Sequence, residues 1–183
     1  MKPRLLGCLL FLLAIDARAH RLDEYLQAIR ISVATNRIDL SLELTPGVAV
    51  ADQVLAVVDK DQDGRVSQAE VAGYAHHVLK DVPVGLDEKV LAMSLVDTSF
   101  SSLREIKAGV GVIHIKATAP VGPLTAGKHA ITLTNAHLPA ISVYLVNALA
   151  PKDRAIKITK QTRDELQKDY RLEFSVSPST PSR

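Results

Sequence analysis

The sequence has almost no cysteine: Cys8 is the only one among its 183 residues, and tryptophan is absent. Cys8 lies in an apolar run near the start, so the chain beyond that run contains no thiol. A chain with one cysteine forms no internal disulfide, and cysteine catalysis is excluded from everything that follows that position. These absences exclude disulfide-stapled scaffolds and thiol enzymes.

The sequence also lacks the motifs by which common enzyme classes are recognised. It has no Gly-x-Ser-x-Gly, no phosphate-binding glycine-rich loop and no His-Glu-x-x-His. Two acidic pairs, Asp23-Glu24 and Asp164-Glu165, are explained by a charged surface. The sequence therefore predicts a protein that is not an enzyme.

Long apolar runs are missing beyond the first nineteen residues. Residues 1–19 combine a basic start (Lys2 and Arg4), an apolar run and a small-x-small sequence at 17–19, which is the pattern of a cleaved signal peptide. The apolar run is too short for a transmembrane helix. We therefore expect a signal peptide at 1–19, no integral membrane segment after it, and a periplasmic or secreted location.

Charge excludes another class of partner. The formal net charge of the chain is +2. Within the first nineteen residues three basic side chains stand against one acid, Asp16, so the remainder of the chain is neutral. A neutral domain has no electrostatic bias toward polyanions, and we expect no nucleic acid among its partners.

The most informative stretch that is present spans residues 59–70. Carboxylates stand at its positions one, three, five and twelve, and Gly64 at position six permits a sharp turn. Calcium takes several oxygen ligands at once, and this spacing supplies them, so the stretch resembles an EF-hand calcium loop at all twelve positions. The predicted ligands are Asp59, Asp61, Asp63, the backbone carbonyl of Arg65, Ser67 (through a water) and Glu70.

An Asp-rich solvated turn is the simpler alternative for this stretch, and its flanks argue against it. Apolar residues at helical spacing stand on both sides of the loop: Leu55, Val58, Val71, Tyr74, Ala75 and Val78. They predict an entering and an exiting helix, so that 48–82 forms an EF-hand insertion. The loop contains no Cys or His, which disfavours zinc or copper as its ion.

The rest of the chain has the pattern of β-strands. Strict alternation over 29–33 and 38–44 predicts an antiparallel hairpin. Further candidate strands, separated by Pro and Gly, lie at 91–95, 110–118, 129–134, 141–149, 155–159 and 170–176, with a short candidate helix at 103–107. Many short strands without βαβ alternation predict a mainly β, antiparallel β-sandwich over 20–176, followed by a flexible tail at 177–183.

A single EF-hand leaves its loop without the usual second hand. Val66 occupies position eight, whose backbone normally pairs with the partner hand. An edge strand of the sandwich, a second copy of the chain in a homodimer, and water are three alternatives. Packing on the sandwich is favoured.

The histidines offer a different metal chemistry. Cleavage after Ala19 makes His20 the N-terminus, and its amine and imidazole together chelate copper or nickel if another histidine joins them. The candidates for that second histidine, otherwise expected at the surface or in loops, are His114, His129 and His137. Because His76 and His77 are adjacent on the predicted exiting helix, they face different directions, which favours a solvated helix face.

One polar region near the end of the domain has two interpretations. Residues 135–137 (Asn-Ala-His) and 142–147 contain Asn and His side chains beside predicted strands. Such side chains either line a binding site or cap strand ends and satisfy turns. The second interpretation is favoured.

Three stretches extend the resemblance beyond the loop. They are 20–27 (His-Arg-Leu-Asp-Glu-Tyr-Leu-Gln), 44–47 (Leu-Thr-Pro-Gly) and 142–147 (Ser-Val-Tyr-Leu-Val-Asn). Together with the calcium loop they resemble an uncharacterised family of bacterial exported domains, some related to nickel/cobalt or hydrogenase-accessory permeases. The resemblance implies export and calcium. Because no membrane segment is visible after residue 19, it implies an accessory role and not transport itself.

Three hypotheses of function follow. The leading one is an exported, non-enzymatic calcium-binding domain, in which calcium orders the insertion for structural purposes or for contact with another envelope protein. The alternative is a periplasmic copper- or nickel-handling accessory that uses His20. A third is a calcium sensor, which exposes apolar helix surface when the ion binds.

Overall fold

A computed structural model describes residues 23–178 of the chain, which form ten strands and three helices. The strands are β1 (Tyr25–Ala34), β2 (Arg37–Pro46), β3 (Val84–Leu86), β4 (Lys89–Val90), β5 (Ser94–Phe100), β6 (Ile113–Pro120), β7 (Gly127–Thr134), β8 (Ser142–Ala148), β9 (Ile156–Arg163) and β10 (Asp169–Val176). The helices are α1 (Ala51–Val58), α2 (Gln68–Asp81) and α3 (Leu103–Lys107). The predicted signal peptide, His20 and the last five residues of the predicted tail lie outside the described residues.

The strands form two five-stranded sheets, and the predicted mainly β sandwich is confirmed. The first sheet has the order β5-β6-β2-β1-β8, and the second has the order β4-β3-β7-β10-β9. Alternate side chains of both sheets contribute to one continuous hydrophobic core. Leu40 of the first sheet and Leu172 of the second are examples of its buried members.

The hairpin of β1 and β2 is the clearest case of sequence pattern becoming structure. The two strands pair antiparallel from Tyr25 opposite Pro46 to Ala34 opposite Arg37. Buried and half-buried residues alternate along nearly their whole length. The period of two places the aliphatic residues Ile29, Ile31 and Val33 of β1, and those at alternate positions from 38 to 44 of β2, on the core face, as the sequence predicts.

One strand pair departs from the expected antiparallel arrangement. Strand β8 pairs with β1 in parallel, from Tyr25 opposite Ser142 to Ile31 opposite Ala148. Parallel neighbours need a long crossover, and here the connection runs through most of the domain before it returns to the open side of β1. Alternation of apolar residues is the same in parallel and antiparallel half-buried strands, so the sequence pattern did not reveal this direction.

The helices α1 and α2 lie between β2 and β3 and join the same core. The buried residues of α1 are Ala51, Val54, Leu55 and Val58, and those of α2 are Val71, Tyr74, Ala75, Val78 and Leu79. Both helices therefore bury one apolar stripe and leave the loop between them at the surface. Among residues 23–178, no helix has both the length and the apolar character needed to cross a membrane.

Helix α3 is fixed at both ends, and its C-terminal turn depends on Gly111. Ser102 and Glu105 form a capping box at its start, and the Gly111 amide donates to the Glu105 carbonyl at 2.9 Å. A Cβ at position 111 would lie 2.6 Å from the backbone nitrogen of Ile106, a fully buried residue. Backbone atoms cannot rotate away from such a contact, so the helix would have to shift.

We expect Gly111→Ala to lower the free energy of unfolding by about 1–3 kcal/mol, because overpacking displaces the backbone at Ile106. The measurement is urea unfolding, in which both proteins should show the same dependence of the unfolding free energy on urea concentration. Gly73→Ala is the matched control, since Gly73 lies inside α2 and a Cβ there has no neighbour within 4 Å. The control should raise the free energy by about 0.5–1 kcal/mol. A Gly111→Ala variant as stable as wild type contradicts the packing described for α3.

Candidate metal centre

The predicted calcium loop connects α1 to α2 and is tied to both helices. Asp59 is the C-cap residue of α1, and its amide donates to the Leu55 carbonyl at 2.8 Å. Ser67 is the N-cap residue of α2. Between them, Gln62 and Gly64 have φ values of 60° and 78°, which turn the chain sharply. The helix ends therefore fix where the loop begins and ends.

Three of the predicted ligands converge. Asp59, Asp61 and Asp63 each place a carboxylate oxygen so that all three atoms lie within 4.8 Å of one another. The Oδ1 atom of Asp59 is buried and has no hydrogen-bond partner within residues 23–178, while its Oδ2 atom accepts from the Gly64 amide at 3.1 Å. A buried carboxylate oxygen without a donor is costly unless a cation compensates it.

Backbone hydrogen bonds hold the other two aspartates in place. Asp61 Oδ1 accepts from the Asp63 amide at 3.2 Å, and Asp63 Oδ1 accepts from the Arg65 amide at 2.7 Å. The bond from the Asp63 amide by itself lowers the pKa of Asp61, but partial desolvation and the surrounding carboxylates together raise that pKa above its ordinary value. The loop thus concentrates negative charge at one point.

The remaining predicted ligands have other contacts. Glu70 accepts from the Lys60 amide at 2.9 Å through Oε1, and from the amide and hydroxyl of Ser67 at 2.9 and 2.8 Å through Oε2. The Ser67 contacts, from backbone and then side chain, are the main reason that the pKa of Glu70 is lowered. Glu70 therefore bridges the two ends of the loop and lies outside the cluster of three aspartates. Arg65 contributes its amide to Asp63, as described above.

Val66 faces the sandwich, which bears on how a single hand is supported. Its side chain is partly buried and contacts the hydrophobic core. With Arg65 it lines an open groove of about 450 Å³, whose other wall is formed by residues 98–103 at the end of β5. Strand β5 is an edge of the first sheet. The sandwich edge thus lies beside position eight of the loop, where the second hand of a pair would be.

A polar network is buried beside α2, and one residue of the sequence, Gln27, is a signal of it that the sequence reasoning missed. Gln27 occupies a core-facing position of β1 between Tyr25 and Ile29, and all three side chains are buried. A polar residue on the buried phase of a strand requires internal hydrogen-bond partners. Gln27 Oε1 accepts from Asn135 Nδ2 at 2.9 Å, and Gln27 Nε2 donates to the His137 carbonyl at 2.9 Å.

The same network shows what Asn135 does. The side-chain Oδ1 atom of Asn135 accepts from the backbone amide of His137 at 3.0 Å. The backbone amide of Asn135 donates to the Lys168 carbonyl at 2.9 Å. Ser142 accepts from Gln27 Nε2 at 2.7 Å and donates to the Leu138 carbonyl. These contacts satisfy the turn between β7 and β8, which is the role favoured for this region in the sequence.

Among the histidines, His137 departs most from expectation, because it is buried. It lies in the loop between β7 and β8, yet its side chain is fully buried. Its Nε2 atom is 2.9 Å from the hydroxyl of Tyr74, which in turn is 2.6 Å from the hydroxyl of Tyr25. Burial lowers the pKa of His137, although the hydrogen bond to Asp81 acts in the opposite direction.

Asp81 brings a third residue to His137. Its Oδ2 atom lies 2.8 Å from His137 Nδ1 and 3.5 Å from His77 Nε2. The expectation of a solvated helix face holds for His76, which is exposed, but His77 also packs edge-on against the His137 ring at 5.4 Å between centroids. His77 therefore shares a helix face with Asp81, four residues later, and not with the adjacent His76. This pair was not considered in the prediction from the sequence.

The other histidines have separate surroundings. His114 is exposed on β6, as expected. His129 Nδ1 is 2.6 Å from Asp87 Oδ2, and its Nε2 is 2.8 Å from the Thr125 carbonyl. The hydrogen bonds to Asp87 and then Thr125 raise the pKa of His129.

We expect Asn135→Ala to lower the free energy of unfolding by about 2 kcal/mol or more, because it leaves Gln27 Oε1 and the His137 amide buried without partners. Denaturant unfolding is the measurement. Asn147→Ala is the matched control, since Asn147 is exposed and bonds to Arg163. The control should change stability by less than about 0.5 kcal/mol. Equal effects of the two substitutions would show that the buried network adds no stability.

The raised pKa of His129 makes one contribution to stability depend on pH. A protonated His129 stabilises the fold fully below its unfolded pKa of about 6.5, and this contribution is lost as the pH rises through the folded pKa. We therefore expect the stability difference between wild type and His129→Gln to be larger at about pH 6 than at about pH 9. Stacking of His129 on Phe174 is lost equally at both values. A difference between wild type and His129→Gln that is constant with pH contradicts the assignment.

Comparison with known proteins adds no family to this geometry. No family model, curated protein or solved structure matches the chain.

Proposed function

We propose that residues 59–70 bind calcium and that the chain is a non-enzymatic, exported calcium-binding domain. Two observations on Asp59 carry this proposal: its Oδ1 atom is buried without a hydrogen-bond partner among residues 23–178, and its carboxylate converges with those of Asp61 and Asp63. Three negative groups within 4.8 Å repel one another. A bound cation offsets this repulsion and gives the Oδ1 atom of Asp59 the partner that it lacks.

The donor set favours calcium over other cations. The three clustered groups are carboxylates, and the loop has no nitrogen or sulfur ligand, which disfavours zinc and copper. Magnesium requires strict octahedral geometry and keeps most of its water, whereas calcium accepts irregular oxygen cages. A surface loop with several carboxylates and carbonyls fits calcium best.

In this proposal the ion is bound by the carboxylates of Asp59, Asp61 and Asp63. Two further ligands are the Arg65 carbonyl and a water held by Ser67. Glu70 completes the set by exchanging its hydrogen bonds with backbone amides for the ion. Because Asp59 ends α1 and Ser67 begins α2, an ion held by this loop joins the two helices.

The burial of both helices supports a structural ion over a sensor. Val54, Val58, Tyr74 and Val78 are at most 1% exposed, so the apolar faces of both helices form part of the core. Calcium that binds only the folded chain stabilises it by about 2.7 kcal/mol at a hundredfold excess over its dissociation constant. For an exported module that constant lies near ~10⁻⁴ to 10⁻³ M, and a structural role does not require tighter binding.

The biological setting follows from the sequence. The pattern of residues 1–19 and the resemblance to exported bacterial domains support a periplasmic or secreted location. The groove between Val66 and the end of β5 is a surface that an ordered loop would present to another envelope protein. Neither a catalytic group nor a further cofactor is needed for this role.

Calcium should reverse the order of stability between wild type and Asp59→Asn. In chelator we expect Asp59→Asn to be at least as stable as wild type, because it removes one of three carboxylates that repel one another. With calcium in the millimolar range the wild type should become the more stable, since the variant loses a charged ligand. Thermal or urea unfolding with and without calcium measures both effects.

Asp52→Asn is the matched control for charge. Asp52 is an exposed residue of α1 outside the loop, so this variant should keep the full calcium response. Calorimetric titration should show uptake in wild type and Asp52→Asn, and weaker uptake, by at least about tenfold, in Asp59→Asn and Glu70→Gln. A wild type that takes up no calcium at millimolar concentration contradicts the proposal.

A further inference from the structure

A second cluster of metal-ligating side chains lies at the other end of α2, where this helix meets the loop between β7 and β8. His77 and Asp81 are four residues apart on α2 and therefore share a face. His137 approaches them from the loop, and the Ala136 amide donates to the Asp81 carbonyl at 2.9 Å, which fixes the loop to the helix end. Two imidazoles and one carboxylate thus come from distant parts of the sequence.

We infer that His77, Asp81 and His137 form a second metal site, which takes a divalent first-row transition ion of the zinc type. One ligand atom from each residue lies within 4.8 Å of the other two. Asp81 Oδ2 is 2.8 Å from His137 Nδ1 and 3.5 Å from His77 Nε2. A tetrahedral zinc ion with bonds of about 2.0–2.1 Å separates its ligand atoms by about 3.3 Å, so shifts of a few tenths of an ångström to about one ångström admit the ion.

The donor set differs from that of the calcium loop. Two imidazole nitrogens and one carboxylate oxygen suit zinc and its neighbours in the first transition row, whereas calcium prefers oxygen alone. Three protein ligands also leave a coordination position for water or another molecule, as in zinc sites that exchange ligands. The side chains of His77 and Asp81 are 48% and 29% exposed, so an ion reaches the cluster from the His77 side.

The surroundings of His137 orient it for such a role. Metal-bound histidines generally use their second nitrogen in a hydrogen bond, and His137 Nε2 has the Tyr74 hydroxyl at 2.9 Å. Without an ion, His137 donates from Nδ1 to Asp81 and accepts from Tyr74. With an ion on Nδ1, the proton lies on Nε2 and the Tyr74 hydroxyl accepts it, so the ring stays neutral throughout.

The two proposed sites are separate. Glu70 lies in the first turn of α2 and Asp81 ends the helix, which places them about 16 Å apart along its axis. They share no residue. Failure of one site is therefore distinguishable from failure of the other.

The test is a titration of the purified protein with zinc in excess calcium, which keeps the loop from competing for the added ion. We expect one zinc ion per chain. His77→Ala should weaken its binding by more than about a hundredfold, because even outer partners of metal ligands contribute 10–100-fold. His77 is half-exposed, so this variant keeps the fold. His76→Ala is the matched control: the neighbouring imidazole is exposed and absent from the cluster, and zinc affinity should not change.

Cobalt supplies a second readout. A four-coordinate Co²⁺ ion with nitrogen and oxygen ligands absorbs visible light far more strongly, and at longer wavelength, than hydrated cobalt does. We expect this strong absorption in wild type, His76→Ala and Asp59→Asn. It should be lost in His77→Ala and Asp81→Asn. No zinc uptake by wild type, uptake unchanged in His77→Ala, or uptake lost in His20→Ala but kept in His77→Ala would each overturn the second site.

Discussion

The buried Oδ1 atom of Asp59 is the constraint that links helix α1 to the proposed ion. Asp59 is the C-cap residue of α1 and the first residue of the loop, and its carboxylate converges with those of Asp61 and Asp63. Its Oδ1 atom has no hydrogen-bond partner among residues 23–178, which costs free energy that a bound cation would offset. The residue is therefore both a helix terminus and a proposed ligand, which is why calcium at this point would be linked to the stability of α1.

Helix α2 connects this constraint to the core of the sandwich. Its first turn holds Glu70, whose carboxylate bridges Lys60 and Ser67 across the loop. Its buried face carries Tyr74, which bonds to a tyrosine of β1 and to a histidine of the β7–β8 loop. Asp81 at its end holds that histidine from the other side. An ion at either end of α2 would therefore act on a helix that is fixed along its length.

The sequence predicted most of what depends on neighbouring residues. Alternation placed the β1–β2 hairpin correctly because each strand needs only its own apolar phase to define a core face. The spacing from Asp59 to Glu70 located a loop in which three carboxylates do converge. The candidate helix at 103–107 has the bounds of α3, because its capping box, Ser102 and Glu105, is local.

What the sequence did not predict depends on contacts between distant residues. The parallel pairing of β8 with β1 leaves no trace in alternation. Burial of His137 depends on Gln27, more than a hundred residues earlier, and on Tyr74 of α2. The capping box that Glu70 forms with Ser67 was also not predicted, although the same Ser-x-x-Glu spacing serves a capping box as well as the calcium loop in which Glu70 is a predicted ligand.

A crystal structure of the protein grown with millimolar calcium would show whether residues 59–70 hold the ion. We expect one ion in the loop, with oxygens of Asp59, Asp61 and Asp63 at about 2.3–2.6 Å and with Asp59 Oδ1 among the ligands. A loop that holds no ion, with an ordered water donating to Asp59 Oδ1 in its place, would contradict the proposed calcium site.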